Sequence, residues 1–339
     1  MTTLGLEQRW RTPLGDRVVS FAPRPCGDGL IVRSGGQLFG LEREHGEVRW
    51  QSVIPDGTGL TACFAVIDDV AVTEVRDSRT KRSHFYGYEP DGRVRWHATL
   101  AAMVRGVVPA GTHELAAIVD VAPRELATIE IRDGAVASVA LPFGATTVAR
   151  VSATRWLLGS SAPGRDKPAC YVLEGDGATS LESEHPVWGL AAASNRLLVV
   201  ERDGTSRLGT LVARDAGTLA VVWRQPIVGE AFAVSGSSVI VTIGTPDAAA
   251  PAAFDLATGD KQWEVGALPK RAIWISAAPP FVLFVLSSEG GPRSILYTLD
   301  GDLRGSHEGY TSKELVVAGD HVFLTVDGDA VGLALPKAT

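Results

Sequence analysis

Every forty-odd residues the chain repeats one phrase: a short apolar strand, a tight turn containing glycine, and a closing hydrophobic residue that is often tryptophan. The clear copies are LFGLEREHGEVRW ending at Trp50, FYGYEPDGRVRW ending at Trp96, LVARDAGTLAVVW ending at Trp223 and AAFDLATGDKQW ending at Trp263. Weaker copies put Ser138, Leu181 and Gly305 at the closing position. One copy is cut in two: VDGDAVGLALPKAT at the C-terminus gives an inner strand, and LEQRWRTP at the N-terminus gives a closing strand ending in Trp10.

From Trp10 the closing positions advance in steps of 40, 46, 42, 43, 42, 40 and 42 residues, each the length of a four-stranded propeller blade. The 34 residues after Gly305, with the ten through Trp10, make one more repeat. The spacing predicts an all-β, eight-bladed β-propeller of four-stranded antiparallel blades. It forms a single domain over 1–339, with an N-terminal strand at 4–11 completing the last blade. Such closure removes the two sheet edges a linear array would expose.

The residue types follow from sheet physics. Apolar runs suit a sheet buried on both faces, and Asp-Gly, Thr-Gly or His-Gly supplies the positive backbone angle of a tight hairpin. The closing tryptophan fills the space between neighbouring blades. An aromatic or aliphatic pair, an acidic residue, Thr-Gly or Asp-Gly, and Trp four residues after the glycine together resemble the PQQ-like, or quinoprotein-like, propeller repeat. The likeness covers the whole chain. It is good at Trp50, Trp96 and Trp263, fair at Trp223 and degraded in the other copies. No Trp-Asp dipeptide closes a blade, so the WD repeat fits less well.

The resemblance implies one of two activities. Dehydrogenases of this fold that use PQQ work outside the cytoplasm, carry calcium and are longer; the alcohol-oxidising members hold an adjacent Cys-Cys pair against the cofactor. This sequence has no Cys-Cys pair, and no calcium ligand or catalytic Asp of that family maps onto it, so no cofactor is expected. Non-enzymatic relatives act as assembly or scaffolding factors or as sensor domains of kinases, and that branch is the one expected here.

Hydrophobic residues at 45%, charged residues at 21%, 37 Gly and 19 Pro fit one hairpin-rich body without a linker. No apolar run reaches the length of a membrane span, and MTTLGLEQRW lacks a basic segment followed by an apolar stretch. Cys26, Cys63 and Cys170 are odd in number and fall in different blades, which suits a reducing compartment. The expected location is the cytoplasm.

Local catalytic motifs are absent. The seven histidines, His45, His84, His97, His113, His185, His307 and His321, include no His-x-His or His-x-x-x-His pair, so no metal site is expected. Asp68-Asp69 and Asp327-Gly-Asp329 fall where hairpin turns are predicted. A propeller can still gather groups from several blades, so an enzyme with its site in the central channel, a hydrolase, lyase or diverged quinoprotein, stays open beside the scaffold.

Charge gives the positive clue. Turns between third and fourth strands are acid-rich, whereas several hairpins between second and third strands carry cations: Arg76, Arg79, Lys81 and Arg82 in blade 2, Arg165 and Lys167 in blade 4, Arg202 and Arg207 in blade 5. Lys270 and Arg271 precede blade 7. The longest repeat places its extra length in EVRDSRTKRSHF, a protruding basic hairpin. It is either a solvated loop that guards against aggregation or a docking element for an acidic partner surface. Trp188 and Trp274, where innermost strands begin, are either packing residues or an aromatic lining for a ligand or peptide. The expected partner is a protein with an acidic surface, with a small molecule in the channel kept open. A net charge of −7 and the lack of interleaved aromatics argue against nucleic acid, and no membrane contact is expected.

Overall fold

The computed structural model describes residues 2–15, 21–55, 64–119, 124–141, 144–162, 169–175, 177–287 and 293–335. Among these the strands form eight antiparallel sheets, and no helix occurs. The chain is an eight-bladed β-propeller.

By packing, the chain divides into two bodies. The first contains blade 1 (Arg24–Cys26, Gly29–Ser34, Gln37–Glu42, Val48–Val53), blade 7 (Ala272–Ala278, Phe281–Leu286, Arg293–Thr298, Leu303–Glu308) and blade 8 (Val316–Ala318, His321–Val326, Asp329–Ala334 with Leu6–Pro13). The second contains blade 3 (Val104–Pro109, Glu114–Val119, Glu125–Glu130, Val136–Ala140) and blade 4 (Thr147–Arg150, Arg155–Gly159, Cys170–Glu174, Gly177–Leu181). It also holds blade 5 (Val187–Ala193, Arg196–Glu201, Leu208–Asp215, Val221–Val228) and blade 6 (Ala233–Ser235, Ser238–Thr245, Ala248–Asp255, Lys261–Glu264). Blade 2 (Phe64–Ile67, Val70–Asp77, Arg82–Tyr88, Val94–Leu100) is shared: 76–85 and the residues from His97 onward count with the second body.

Second strands are mostly buried, and Gly29–Ser34 and Phe281–Leu286 are buried along their whole length, because both sheet faces are covered. Fourth strands are more exposed, and that of blade 2 alternates: Val94–Leu100 buries Trp96, Ala98 and Leu100 and exposes the residues between. Three closing tryptophans seal junctions between neighbouring blades. Trp50 Nε1 donates to Pro90 O of blade 2 at 2.8 Å, Trp10 Nε1 to Arg43 O at 3.1 Å, and Trp223 Nε1 to Leu256 O at 3.2 Å. Glycine is required on both sides of the Trp50 indole. Any Cβ at Gly40 would collide with it, and one at Gly92 (φ 84°) would meet it at 2.6 Å.

The N-terminus explains the copy that closes at Gly305. Leu6–Pro13 pairs with Asp329–Ala334, with Arg11 opposite Val331. The strand expected at 4–11 starts later because Leu4 (φ 55°) and Gly5 (φ 76°) form a turn that folds Thr2–Thr3 back onto Leu6 and Glu7. Leu4 is buried in the core shared by blades 7 and 8. A Cβ on Gly305 would lie 2.6 Å from Gly5 N. The closing position of blade 7 therefore has no room for a tryptophan.

Asp68 and Asp69, with φ of 51° and 58°, and Asp327, with φ of 52°, occupy turns as expected. Trp156 is a core residue.

Candidate functional site

Val70–Asp77 and Arg82–Tyr88 form the long hairpin of blade 2, turning through Ser78, Arg79, Thr80 and Lys81; its tip, 76–85, counts with the second body. Asp77 is the only carboxylate between 76 and 85, and it is engaged in the turn. Its Oδ2 accepts from Thr80 Oγ1 at 2.6 Å and its Oδ1 from Arg79 N at 2.8 Å. These bonds hold the carboxyl below its ordinary range, the Thr80 hydroxyl contributing most. Lys81, with φ of 59°, completes the reversal. Arg79, Lys81 and Arg82 are exposed, and Arg76 is half-buried at the base. Ser83 and Phe85 behind them are fully buried, which anchors the tip to a rigid sheet.

Trp188, also in the second body, lies in a β-bulge: Val187 faces Glu201 and Gly189 faces Val200, leaving Trp188 as the extra residue. Its Nε1 donates to Arg202 O at 3.1 Å, and the Arg202 guanidinium sits 4.1 Å from the ring centroid. Arg202 is in turn ion-paired with Glu230 at 3.0 Å. The indole is thus held from its edge and one face, and Arg202 is a clamp on it. Arg165 and Lys167 lie outside the described residues.

In the first body the equivalent strand of blade 7 carries a bulge at the same place, between Ala272 and Trp274. Here Ile273 and Trp274 are 43% and 41% exposed. Lys313 Nζ stands 5.2 Å from the Trp274 ring centroid, within cation–π range. Lys270 is exposed and Arg271 half-buried just before them, the Arg271 carbonyl accepting from Ser287 N at 2.9 Å. The structure therefore gathers Lys270, Arg271 and Trp274 at one strand start. It also adds Lys313, which nothing in the sequence linked to Trp274.

Other chemistry is scarce. Burial pushes the thiols of Cys26 and Cys170 up to about 12, so neither is a thiolate at neutral pH. Cys63 lies outside the described residues. Among the described residues no group of three or more His, Cys, Asp and Glu could hold a metal. A cleft of about 590 Å³ opens beside Gly111–Glu114, Glu130 and Arg150–Ala153. Its Arg150 donates to Ser152 O and Ala153 O at 3.0 Å, bonds Glu114 and Ala110 O, and stacks on Trp156. An arginine with its donors so engaged is a strut between blades 3 and 4.

Against known proteins, the family model described as outer membrane protein assembly factor BamB, of the PQQ-like class, matches residues 144–331. The chain belongs to this family. No curated protein matches the chain. Among solved structures, BamB from Moraxella catarrhalis is 16% identical, with 98% of this chain and 99% of that one covered at a TM-score of 0.62. The C-terminal WD40 domain of Sif2 is 14% identical, with 98% and 97% covered and a TM-score of 0.64. The dihydro-heme d1 dehydrogenase NirN, solved in complex with DHE, is 11% identical, with 96% and 78% covered and a TM-score of 0.66. At these identities the likeness is one of fold. The BamB-family match falls on blades 4 to 8, so it includes Trp188 and Trp274 but not the basic hairpin of blade 2.

Proposed function

We propose that the chain is a non-catalytic scaffold that holds a protein partner of acidic surface through the blade 2 hairpin, and that the Lys270, Arg271 and Trp274 cluster of the first body is a separate contact surface. The observation that carries this is the hairpin tip. Arg79, Lys81 and Arg82 are exposed on a chain of net charge −7, and the one carboxylate within 76–85, Asp77, is engaged in shaping the turn. Concentrated positive charge on an acidic molecule steers an acidic partner to one place. Membership of a family named for an assembly factor supports the scaffold role, and the fold shared with a WD40 domain agrees with it. The proposed location is the cytoplasm, in keeping with the free, buried thiols of Cys26 and Cys170.

The test is affinity capture from native host extract with the wild-type chain and with a variant carrying Ser at 76, 79, 81 and 82. A stoichiometric acidic protein held by the first and lost by the second supports the proposal. Equal retention by both, or retention that does not weaken between low and high salt, would sink it.

A further inference from the structure

On the outer part of blade 2, two histidines meet across strands. His84 Nδ1 lies 3.2 Å from His97 Nε2, and Thr99 Oγ1 lies 3.1 Å from the first and 3.3 Å from the second. The rings stack with centroids 5.4 Å apart and planes 19° apart. The placement is fixed by alternation. Ser83 and Phe85 are buried on either side of His84, and Trp96, Ala98 and Leu100 are buried around His97 and Thr99. All three polar side chains therefore leave the sheet on its open face.

The geometry points to a two-imidazole site for a divalent transition-metal ion, with His84 Nδ1 and His97 Nε2 as ligands and water in the remaining positions. Metal–nitrogen bonds of about 2.0–2.1 Å put two ligand nitrogens roughly 2.9 Å apart at a right angle and about 3.3 Å apart at the tetrahedral angle. The observed separation falls between them. Imidazole pairs suit Zn²⁺, Ni²⁺ and Cu²⁺, with Cu²⁺ held most tightly. Thr99 Oγ1, within hydrogen-bond range of both nitrogens, is placed to bond a metal-bound water. Among the described residues no further His, Cys, Asp or Glu completes a three-ligand group. This site stands apart from the proposed scaffold role, and either can fail alone.

The test is calorimetric titration of the full chain with ZnCl₂, NiCl₂ and CuCl₂, beside His84→Ala, His97→Ala and the control His185→Ala. Saturable binding near one ion per chain is expected, weakened at least about tenfold by either single change, because a rigid two-point chelate loses its advantage with one arm. The double change should weaken it little further, and His185→Ala should leave it intact. Binding that is not saturable, or that His84→Ala and His97→Ala leave unchanged while their melting curves match the wild type, would overturn the proposal.

Discussion

Trp188 and Trp274 begin the innermost strands of two blades, next to the same kind of bulge, and end in different states. Trp188 is clamped, its N–H given to Arg202 O and one face covered by a guanidinium that Glu230 neutralises. Trp274 stays 41% exposed beside Lys313. The difference comes from the strand that follows. Blade 5 ends its second strand with Glu201 and continues into Arg202, whereas blade 7 ends with Leu286 and continues into Ser287, which has no reach over a ring. An inner-strand tryptophan is thus a packing residue where the next strand supplies an arginine, and an open surface where it does not.

The largest expected effect is on stability. Trp188→Ala should lower the unfolding free energy by about 2–4 kcal/mol, since it removes a packed ring and leaves Arg202 stacked on nothing. Trp274→Ala should cost less than about 1 kcal/mol. Urea unfolding of the two variants decides the matter, and similar losses would break the comparison. Arg202→Ala should come next, at about 1–2 kcal/mol, and should make Trp188 newly open to an aqueous quencher of fluorescence.

Thiol chemistry sharpens the contrast further. Cys170 packs with Leu197, Val199 and Val187, the residue before Trp188, whereas Cys26 belongs to a blade 1 and 2 cluster. Neither described thiol should react with an aromatic disulfide reagent at pH 8 in the wild type. Trp188→Ala should expose Cys170 before Cys26, and Trp274→Ala neither. Because burial raises both thiols from 9.0 to about 12, the unfolded chain ionises first. Their contribution to stability is full below about pH 9 and is lost as pH climbs from 9 to 12. Base titration of the folded fraction checks the sign.

Much of the fold was legible in the sequence because its determinants are contiguous. A turn glycine four residues before Trp50 or Trp96 reports a hairpin and a seal in one phrase. The failure of that phrase at Gly305 was not legible as a fit, since what excludes a side chain there is the Leu4–Gly5 turn, some three hundred residues distant. The candidate site divides in the same way. The basic hairpin could be read because Arg76, Arg79, Lys81 and Arg82 lie in one segment. The unequal fates of Trp188 and Trp274 depend on Arg202 and Lys313, and the His84–His97 pair depends on strand pairing. A search along one strand for His-x-His passes over it.

The smallest expected stability change belongs to the hairpin itself. Ser at 79, 81 and 82 should shift unfolding by no more than about 0.5 kcal/mol per site, because exposed side chains away from caps contribute little. That silence is what makes the hairpin a clean probe of function. The most direct measurement is photo-crosslinking in the native host from a benzophenone amino acid at Ser78, within the turn. The account predicts a covalent adduct with one acidic protein, lost when Arg79, Lys81 and Arg82 are changed to Ser. No adduct, or one that persists without the three cations, would contradict it.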